Sequence, residues 1–161
     1  MPPSVEDIDM GYKKFMATMA DMAGEVGVDV GILQKDGSQN YDKGDATLAQ
    51  VATYNEFGSK DGKHPPERSF LRSTADTNRT KYADRIQKSV EAAVDGKLHI
   101  ERGLGLVGEM AKNDVVRTID TLKDPKNADS TVARKGANNP LVDTGRLKRS
   151  IAYEVTKGGS K

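Results

Sequence analysis

One stretch of the chain, residues 52–72, constrains the fold more than any other. A helical pattern ends there at Phe57 and is followed by Gly58, which suits the left-handed position that often closes a helix. A polar loop follows and is stopped by Pro65 and Pro66, whose rings hold the backbone in an extended exit. A second helical pattern starts immediately afterwards. The stretch therefore predicts a corner between two helices.

The same corner holds most of the chain's phenylalanine. Only three phenylalanines occur in the sequence, and two of them, Phe57 and Phe70, lie in this stretch. Phe70 and Leu71 stand between two charged residues, Arg68 and Arg72. We expect a helix-loop-helix corner whose phenylalanine side chains fill the core.

The bulk composition limits the classes of protein to which the chain can belong. The chain has 161 residues, of which 35% are hydrophobic and 30% charged, and this suits one domain over residues 1–161 with much exposed surface. Such a chain can finish ordering on a partner. Lysine plus arginine (25) nearly balances aspartate plus glutamate (24), so no overall positive field directs the chain to nucleic acid. The absence of cysteine excludes disulfides and thiolate metal sites.

The hydropathy of the chain bears on its location. The first residues contain no basic segment followed by an apolar run, and no apolar stretch is long enough to cross a bilayer. We therefore expect a protein that is made in a cytosol, stays soluble and has no membrane partner. Residues 157–161 are rich in glycine and lysine, and we expect them to form a flexible tail.

Two segments near opposite ends of the chain alternate as strands do. In residues 26–34, valine and isoleucine alternate with small or polar residues, and Ile151, Tyr153 and Val155 repeat the pattern. We expect strands near residues 26–34 and 150–156 to pair in a small antiparallel sheet packed with three or four helices, an α+β fold. The glycines of the first strand suggest that another element approaches their face closely.

Apolar residues at three- and four-residue spacings predict the helices. The predicted segments are 4–23 (an N-terminal amphipathic helix within residues 1–24), 46–57, 69–94 and 98–122. The first has a methionine-rich face, which is more typical of core or interface than of a cofactor site. Shorter helical turns are expected at 130–135, closed by Gly136, and up to Arg149, capped by Asp143 or Thr144. Residues 35–45 and 123–140 are predicted to be loops.

Gly103, Gly105 and Gly108 match the spacing of a dinucleotide-binding loop. That loop holds a pyrophosphate only where a buried strand precedes it and a helix follows. Residues 98–102 are too few and too charged for a central strand. The pattern instead favours a helix whose glycine face lets a neighbouring element pack closely, although glycines weaken a helix. We therefore expect no cofactor.

A second motif, Asp143-Thr144-Gly145, matches the aspartic-protease signature. A single copy would serve in a homodimer, because the chemistry needs two carboxylates that share a proton. Arg146 stands where a small residue normally follows the glycine, and only sixteen residues remain after Gly145. The motif therefore favours a helix cap over a dimeric protease.

Other chemistry has little support in the sequence. His64 and His99 lie far apart without the spacing of a metal site, and no serine stands in a nucleophile elbow. We predict neither an enzyme nor a metal site. Basic residues become more frequent towards the C-terminus, where a solvated face is favoured over a surface that contacts phosphates. These residues are Lys123, Lys126, Arg134, Lys135, Arg146, Lys148 and Arg149.

Two groups of residues resemble the signature of a family of tailed-bacteriophage virion morphogenesis proteins, which includes Mu-like proteins and lambdoid minor tail or tail-completion components. In that family a Glu-Phe-Gly turn precedes a Pro-Ala-Arg-Pro-Phe-Leu-Arg-like run, matched here by Glu56, Phe57, Gly58, Pro66, Arg68, Phe70, Leu71 and Arg72. The family's C-terminal pattern is matched by residues 130–136, by Ser150 and Ile151, and by Pro140, Leu141, Val142, Asp143, Thr144, Gly145, Arg146 and Leu147. The resemblance covers residues 26–155 and departs at residues 66–69, where the family usually has alanine and a second proline.

The resemblance implies a structural protein of the phage neck. Such proteins form homo-oligomeric rings, commonly hexamers, between the head connector and the tail tube, and they enable heads to join tails. The implied partners are further copies of the chain, head-connector or adaptor proteins, and tail-terminator or tail-tube proteins. DNA is implied only as the genome that passes through the ring. The implied location is the virion, after assembly in the bacterial cytoplasm.

On this interpretation the two motifs form a structural and interface site. Phe70 and Leu71 would anchor the corner, and residues 143–147 would cap the terminal strand nearby. The loops at 35–45 and 59–63 would meet neighbouring subunits. Three alternatives stay open: a tail terminator that caps growth of the tube, a DNA-binding packaging accessory, and the dimeric protease.

Overall fold

A computed structural model describes residues 11–22, 24, 26–41, 45–59, 65–136 and 139–158. Its helices and strands follow in the order α1 (Tyr12–Met22), β1 (Val26–Ile32), α2 (Gln34–Gly37), α3 (Leu48–Phe57), α4 (Arg72–Val94), α5 (Ile100–Thr121), α6 (Asp129–Lys135), α7 (Arg146–Arg149) and β2 (Ile151–Lys157).

The two strands form one antiparallel sheet. β1 and β2 pair from Val26 opposite Lys157 to Ile32 opposite Ile151. The pairing confirms the predicted α+β fold and the prediction that strands from opposite ends of the chain meet. β1 ends before the predicted residue because Gln34 already begins α2. The prediction of a flexible tail is wrong at Lys157, which closes β2 and forms an ion pair with α5.

Helix α5 is the central element of the fold. Its 22 residues extend over about 33 Å at the usual helical rise, and it packs against both strands and against α4. One hydrophobic cluster surrounds its C-terminal half and includes Leu48, Phe70, Val115, Ile119, Leu141, Leu147 and Ile151. A second surrounds its N-terminal half and joins Ala93, Ile100 and Leu104 to Val26, Val28 and Val155. The core therefore lies along one helix.

The three glycines of the G-x-G-x-x-G pattern lie inside α5, which stays helical through all of them. A Cβ atom at Gly103 would lie 2.6 Å from Cβ of Ser89 on α4, and one at Gly108 would lie 2.4 Å from Cδ2 of Tyr153 on β2. These distances are too short for non-bonded carbon atoms. The glycines therefore let α4 and the sheet approach α5 closely, and the pattern forms no phosphate-binding loop.

The expectation that the glycine face of β1 is the closely approached one is wrong. A Cβ at Gly31 would meet no atom within 4 Å, and one at Gly27 would meet only the side chain of Thr156 on the paired strand. The close approach is on the valine face, where Val28 lies 2.8 Å from the position of a Cβ at Gly108. The small residues that allow this packing belong to the helix rather than to the strand.

The described residues of the connection between β1 and α3 contain more regular structure than the predicted loop. It begins with α2 and includes a bridge between Asn40 and Thr47. Thr47 starts α3 with a capping box that the sequence analysis did not recognise: Gln50 N–H donates to the Thr47 hydroxyl (3.2 Å), and Thr47 N–H donates to the Gln50 side chain (2.8 Å). Two otherwise unpaired donors are satisfied in this way.

Two further helix caps were predicted, of which one is confirmed and one is wrong. α6 ends at Gly136 in the left-handed conformation (φ 69°, ψ 5°), as predicted. α7 is preceded by Gly145 at φ 73° and receives no side-chain cap, so the prediction that Asp143 or Thr144 caps it is wrong. The predicted N-terminal helix is described from Tyr12 onward, and its predicted residues 4–10 lie outside the described residues.

Candidate functional site

The centre of the candidate site is the carboxylate of Glu56, which is only 3% exposed near the end of α3. Its Oε2 accepts hydrogen bonds from the backbone N–H groups of Phe70 (2.8 Å) and Leu71 (2.9 Å). Its Oε1 accepts from the Ser69 hydroxyl (2.7 Å) and from the N–H of Arg72 (3.0 Å). The first turn of a helix leaves such N–H groups unpaired. Glu56 therefore caps α4 from another helix, and this is why α4 begins at Arg72, three residues after the predicted start.

The Arg72 side chain contacts Glu56 from the solvent-exposed side of the corner. Its Nε donates to Glu56 Oε1 (3.2 Å), and its Nη2 donates to the Glu56 carbonyl (3.2 Å) and to Glu67 Oε1 (2.7 Å). The guanidinium lies 4.6 Å from the centre of the Phe57 ring, a cation–π contact. Phe57 is 59% exposed, so the expectation that both phenylalanines of the corner fill the core is wrong for Phe57.

The electrostatics of Glu56 combine two opposed effects. Burial raises the pKa of Glu56, whereas hydrogen bonds from the backbone of Leu71 and Arg72, the Ser69 hydroxyl and the backbone of Phe70 lower it, and the net pKa lies below the ordinary glutamate value. Donors that stabilise the charged form have this effect. The group is therefore an ionised carboxylate at neutral pH.

Gly58 follows α3 at φ 72° and ψ −179°. The positive φ agrees with the expectation, whereas ψ differs from that of a left-handed helical residue. A Cβ here would lie 2.9 Å from the backbone nitrogen of Glu67. The segment after the loop lies against the end of α3, because Arg68 N–H donates to the Asn55 carbonyl (2.7 Å) and Ser59 N–H to the Pro65 carbonyl (2.9 Å). Residues 60–63 of the predicted contact loop lie outside the described part of the chain.

Arg68 is a buried side chain that connects two segments of the chain rather than an exposed surface charge. It is 6% exposed, and its Nε and Nη2 donate to the carbonyls of Pro125 and Lys126, each at 2.9 Å. Burial lowers the pKa of the Arg68 guanidinium, although arginine stays protonated at neutral pH. The side chain therefore connects the corner to the loop that follows α5. Pro66 lies half-buried and lines a cleft together with Arg68.

The second motif meets the first in the core. Phe70 is fully buried in the same cluster as Leu141 and Leu147, and Leu71 packs against it partly buried. Asp143 and Thr144 are exposed. Arg146 places its guanidinium 5.9 Å from the centre of the Tyr41 ring. The apolar residues of both motifs therefore share one cluster, whereas their polar residues serve turns and surface contacts.

In the described part of the chain, two of the basic residues of the C-terminal third have polar partners on other elements. Lys148 pairs with Asp120 at 2.8 Å, and Arg146 donates to Gln39 at 3.3 Å. Lys123 and Lys126 are exposed, and the side chains of residues 134 and 135 lie outside the described part. This arrangement fits the solvated-face interpretation better than a phosphate-binding surface.

A buried polar group on α5 has no counterpart in the sequence analysis. Asp114 is 9% exposed and accepts hydrogen bonds from Lys81 Nζ (2.6 Å) and the Tyr82 hydroxyl (3.0 Å), both on α4. Burial and this hydrogen bond raise the pKa of Tyr82, so the phenol stays protonated. No local signal marks the trio, because Asp114 lies more than thirty residues from Lys81 and Tyr82 in the sequence. It fixes α4 against α5.

Within the described ranges, apolar side chains are exposed on α1 and in a groove beside β1. The methionine-rich face of α1 exposes Tyr12, Phe15, Met16 and Met19 by 42–67%. A groove of about 410 Å³ lies between α4, α5 and β1 and is lined by apolar residues such as Val28, Val107 and Ile86. Exposed apolar patches of this kind are typical of contact surfaces.

The described residues contain no group of three or more histidine, cysteine or acidic side chains that could hold a metal ion. Among the helices that the structure describes, none is both long and apolar enough for a bilayer span. His99 is exposed at the start of α5, and His64 lies outside the described residues.

Comparisons of the chain with protein-family models, with curated proteins and with solved structures each found no match.

Proposed function

We propose that this chain is a structural component of a tailed-bacteriophage neck, where copies of it form a ring between the head connector and the tail tube and enable heads to join tails. The observation that carries the proposal is the meeting of the two motif segments in one buried cluster. Phe70 comes from the first segment, and Leu141 and Leu147 come from the second. Segments that belong to one fold signature are expected to pack together, so their contact supports such a signature.

The chemistry of the corner also favours a structural role. Glu56 and Arg68 are buried, and the described hydrogen bonds of both run to other parts of the same chain. Buried polar groups whose hydrogen bonds are satisfied rigidify and specify a fold, and this favours a structural role for the corner. The contacts of the ring would then be made by other surfaces of the molecule, and residues 59–63 and the exposed face of α1 are candidates.

The experiment is inactivation of the gene in its parent phage, followed by negative-stain electron microscopy of the lysate. We expect DNA-filled heads beside separate tails of normal length. A plasmid copy of the wild-type gene should restore intact virions, which controls for effects on neighbouring genes. A plasmid copy with Phe70→Ala, which removes the buried anchor, should fail to restore them.

The same images separate the alternatives. Overlong tails would favour a terminator that caps growth of the tail tube. Empty heads would favour a packaging accessory that binds DNA. Intact infectious virions without the gene product would contradict the neck proposal.

A further inference from the structure

The outer edge of β1 is a strand edge that no other strand of the described chain covers. The sheet consists of β1 and β2 alone, so each strand is paired on one side only. In an antiparallel sheet, alternate residues of a strand direct their N–H and C=O groups away from the paired strand. An edge of this kind is a template for pairing with a further extended segment.

The apolar groove of about 410 Å³ lies on the same side of the sheet as this edge. Its lining contains residues of β1, α4 and α5 and none of β2. Val28 and Val30 line it from β1, and Ala75 and Ile86 line it from α4. A segment that extends the sheet at β1 therefore passes over the groove and covers these side chains.

The widths of the two layers explain why the groove is open. Neighbouring strands lie about 4.8 Å apart, whereas packed helices lie about 8–10 Å apart. Two strands therefore cover about the width of one helix, and that helix is α5, which packs on both β1 and β2. Helix α4 packs on α5 at the side of β1, and no described strand lies above it. The layer has room for a further strand over α4.

The charged side chains around the groove are positive. Its lining contains one charged residue, Arg72, and no carboxylate. Arg79 lies four residues after Ala75 and three before Tyr82, so it shares the helix face that borders the groove. It is exposed and forms no ion pair with the residues that the structure describes. Acidic residues in a covering segment match this charge.

We propose that the outer edge of β1 and the groove together form a strand-addition site for an extended segment of a partner protein. The segment has an apolar residue at every second position, facing the groove, and acidic residues between them, within reach of Arg79. In this mode of recognition, backbone hydrogen bonds supply affinity and alternate side chains supply specificity.

The occupant is a separate segment rather than a strand of a second copy. Both strands of the sheet pack on α5, so either strand of another copy would bring its own α5 into the space that α4 fills. An extended segment without a helix beneath it has no such conflict. The proposal goes beyond the neck function, because it concerns a partner segment and does not depend on a ring.

The experiment measures binding of fluorescein-labelled peptides to the purified full-length chain by fluorescence anisotropy. The peptides have seven residues, the length of β1, with valine, leucine or phenylalanine at every second position and aspartate between. A control peptide has the composition of the valine peptide with its valines adjacent. We expect at least one alternating peptide to bind at least about tenfold more tightly than this control.

Substitutions locate the bound peptide. Ile86→Lys places a charge in the groove and should weaken binding at least about tenfold. Leu106→Lys is the matched control, since Leu106 is 45% exposed and does not line the groove, and it should leave binding unchanged. Arg79→Glu should reverse the preference from aspartate peptides to lysine peptides, whereas Arg117→Glu, at an exposed position of α5, should not. Circular dichroism checks that the variants fold.

Backbone methylation tests whether the peptide pairs with β1 as a strand. Only every second residue of a strand directs its N–H towards a given neighbouring strand. The best peptide is therefore made in two forms, methylated at the backbone nitrogens of its apolar residues or of its aspartates. One form should lose binding and the other should keep it. Hydrogen exchange should show protection of residues 26–32 by the bound peptide and no change in residues 151–157.

Several results would overturn the proposal. They are a failure of all three alternating peptides to bind, binding that Ile86→Lys leaves unchanged, and equal binding of the two methylated forms. Self-association of the wild-type chain that Ile86→Lys abolishes would assign the groove to a second copy and would also overturn it. Each of these results leaves the neck proposal standing, because that proposal is tested by the phage lysate and not by these peptides.

Discussion

Glu56 shows how one side chain organises the corner. A buried carboxylate is costly unless its charge is matched by donors. Here the donors are three backbone N–H groups at the start of α4, the Ser69 hydroxyl and the Arg72 guanidinium. A negative charge at a helix N-terminus is also favourable to the helix dipole. The residue therefore connects α3 to the start of α4, and its ionisation contributes to stability.

The first prediction concerns Glu56→Gln. At pH 7 the variant should lose about 2 kcal/mol of unfolding free energy, because a neutral amide replaces a carboxylate at charged hydrogen bonds. The folded-state pKa of Glu56 is lowered, so its ionic contribution is present above the ordinary glutamate pKa of about 4.3 and is lost as the pH falls through the folded-state pKa. Urea unfolding between pH 7 and pH 3 measures this. The difference between wild type and variant should shrink in acid.

Glu67→Gln is the control for this experiment. Glu67 also accepts from Arg72, but its side chain is 58% exposed, and exposed ion pairs contribute little. Its substitution should change stability by less than about 0.5 kcal/mol. A Glu56→Gln effect that stays constant from pH 7 to pH 3 would contradict the capping role of the carboxylate.

The second prediction compares the two phenylalanines of the corner. Phe70→Ala should lower the unfolding free energy by about 3–5 kcal/mol, because it leaves a cavity in the main cluster. Phe57→Ala removes an exposed ring beneath Arg72 and should cost less than about 1 kcal/mol. Chemical denaturation of both variants measures the difference. Equal costs would mean that Phe57 is buried as deeply as Phe70.

At the scale of the elements, α5 shows that the position of a glycine decides its role. Gly103 and Gly108 lie where α4 and the sheet approach the helix, whereas Gly105 lies beside open space apart from Val155 at 4.0 Å. Helix propensity alone would favour alanine at all three positions. Packing reverses this preference at the contact positions.

The third prediction is a pair of substitutions with opposite signs. Gly108→Ala should destabilise the fold by about 1–3 kcal/mol, because its Cβ would overlap Tyr153 and Val28. Gly105→Ala should stabilise it by up to about 1 kcal/mol through helix propensity. Thermal and urea unfolding of both variants give the signs. Stabilisation by both would show that the sheet can move away from α5 at little cost.

Helix α4 shows where an apolar period does not mean full burial. Ile86 and Val90 follow the predicted four-residue spacing, yet each is 37% exposed. The residues of α4 that are fully buried are Thr74, Ser89 and Ala93. The groove beside β1 opens next to the middle of α4, so these apolar side chains border a surface rather than the core.

At the scale of the whole molecule, positive and negative residues are nearly equal in number, and some of them form ion pairs. The formal net charge is +1, and Lys148 and Lys81 each pair with an aspartate of α5. Strong DNA binding needs several unpaired cations that release counterions together. We therefore expect the described surface to bind DNA only weakly.

The fourth prediction follows from this balance. We expect purified protein to bind linear duplex DNA with an affinity weaker than about 10⁻⁵ M at physiological salt. Filter binding across a salt series measures the affinity and its slope. Tight binding that falls steeply with salt would favour the packaging-accessory alternative over a ring through which DNA only passes.

Features encoded by neighbouring residues could be read from the sequence. The period of two in β1 and β2, the four-residue periods of α4 and α5, and the left-handed Gly136 all follow from local backbone geometry and side-chain spacing. Gly58, the two prolines and the apolar residues of the stretch 52–72 also predicted a corner with a buried phenylalanine, and Phe70 does lie in the core.

Tertiary structure decided what each residue of that corner does. Contacts with residues distant in sequence decide which of Phe57 and Phe70 is buried. They also let Glu56 cap α4 and let Arg68 bind a loop 57 residues away. The same holds for the glycines of α5, whose close contacts come from α4 and the sheet. Local patterns select helices and strands because hydrogen bonding and burial repeat along the chain. Burial and charge pairing are settled only when the elements pack, because desolvation depends on every neighbour at once.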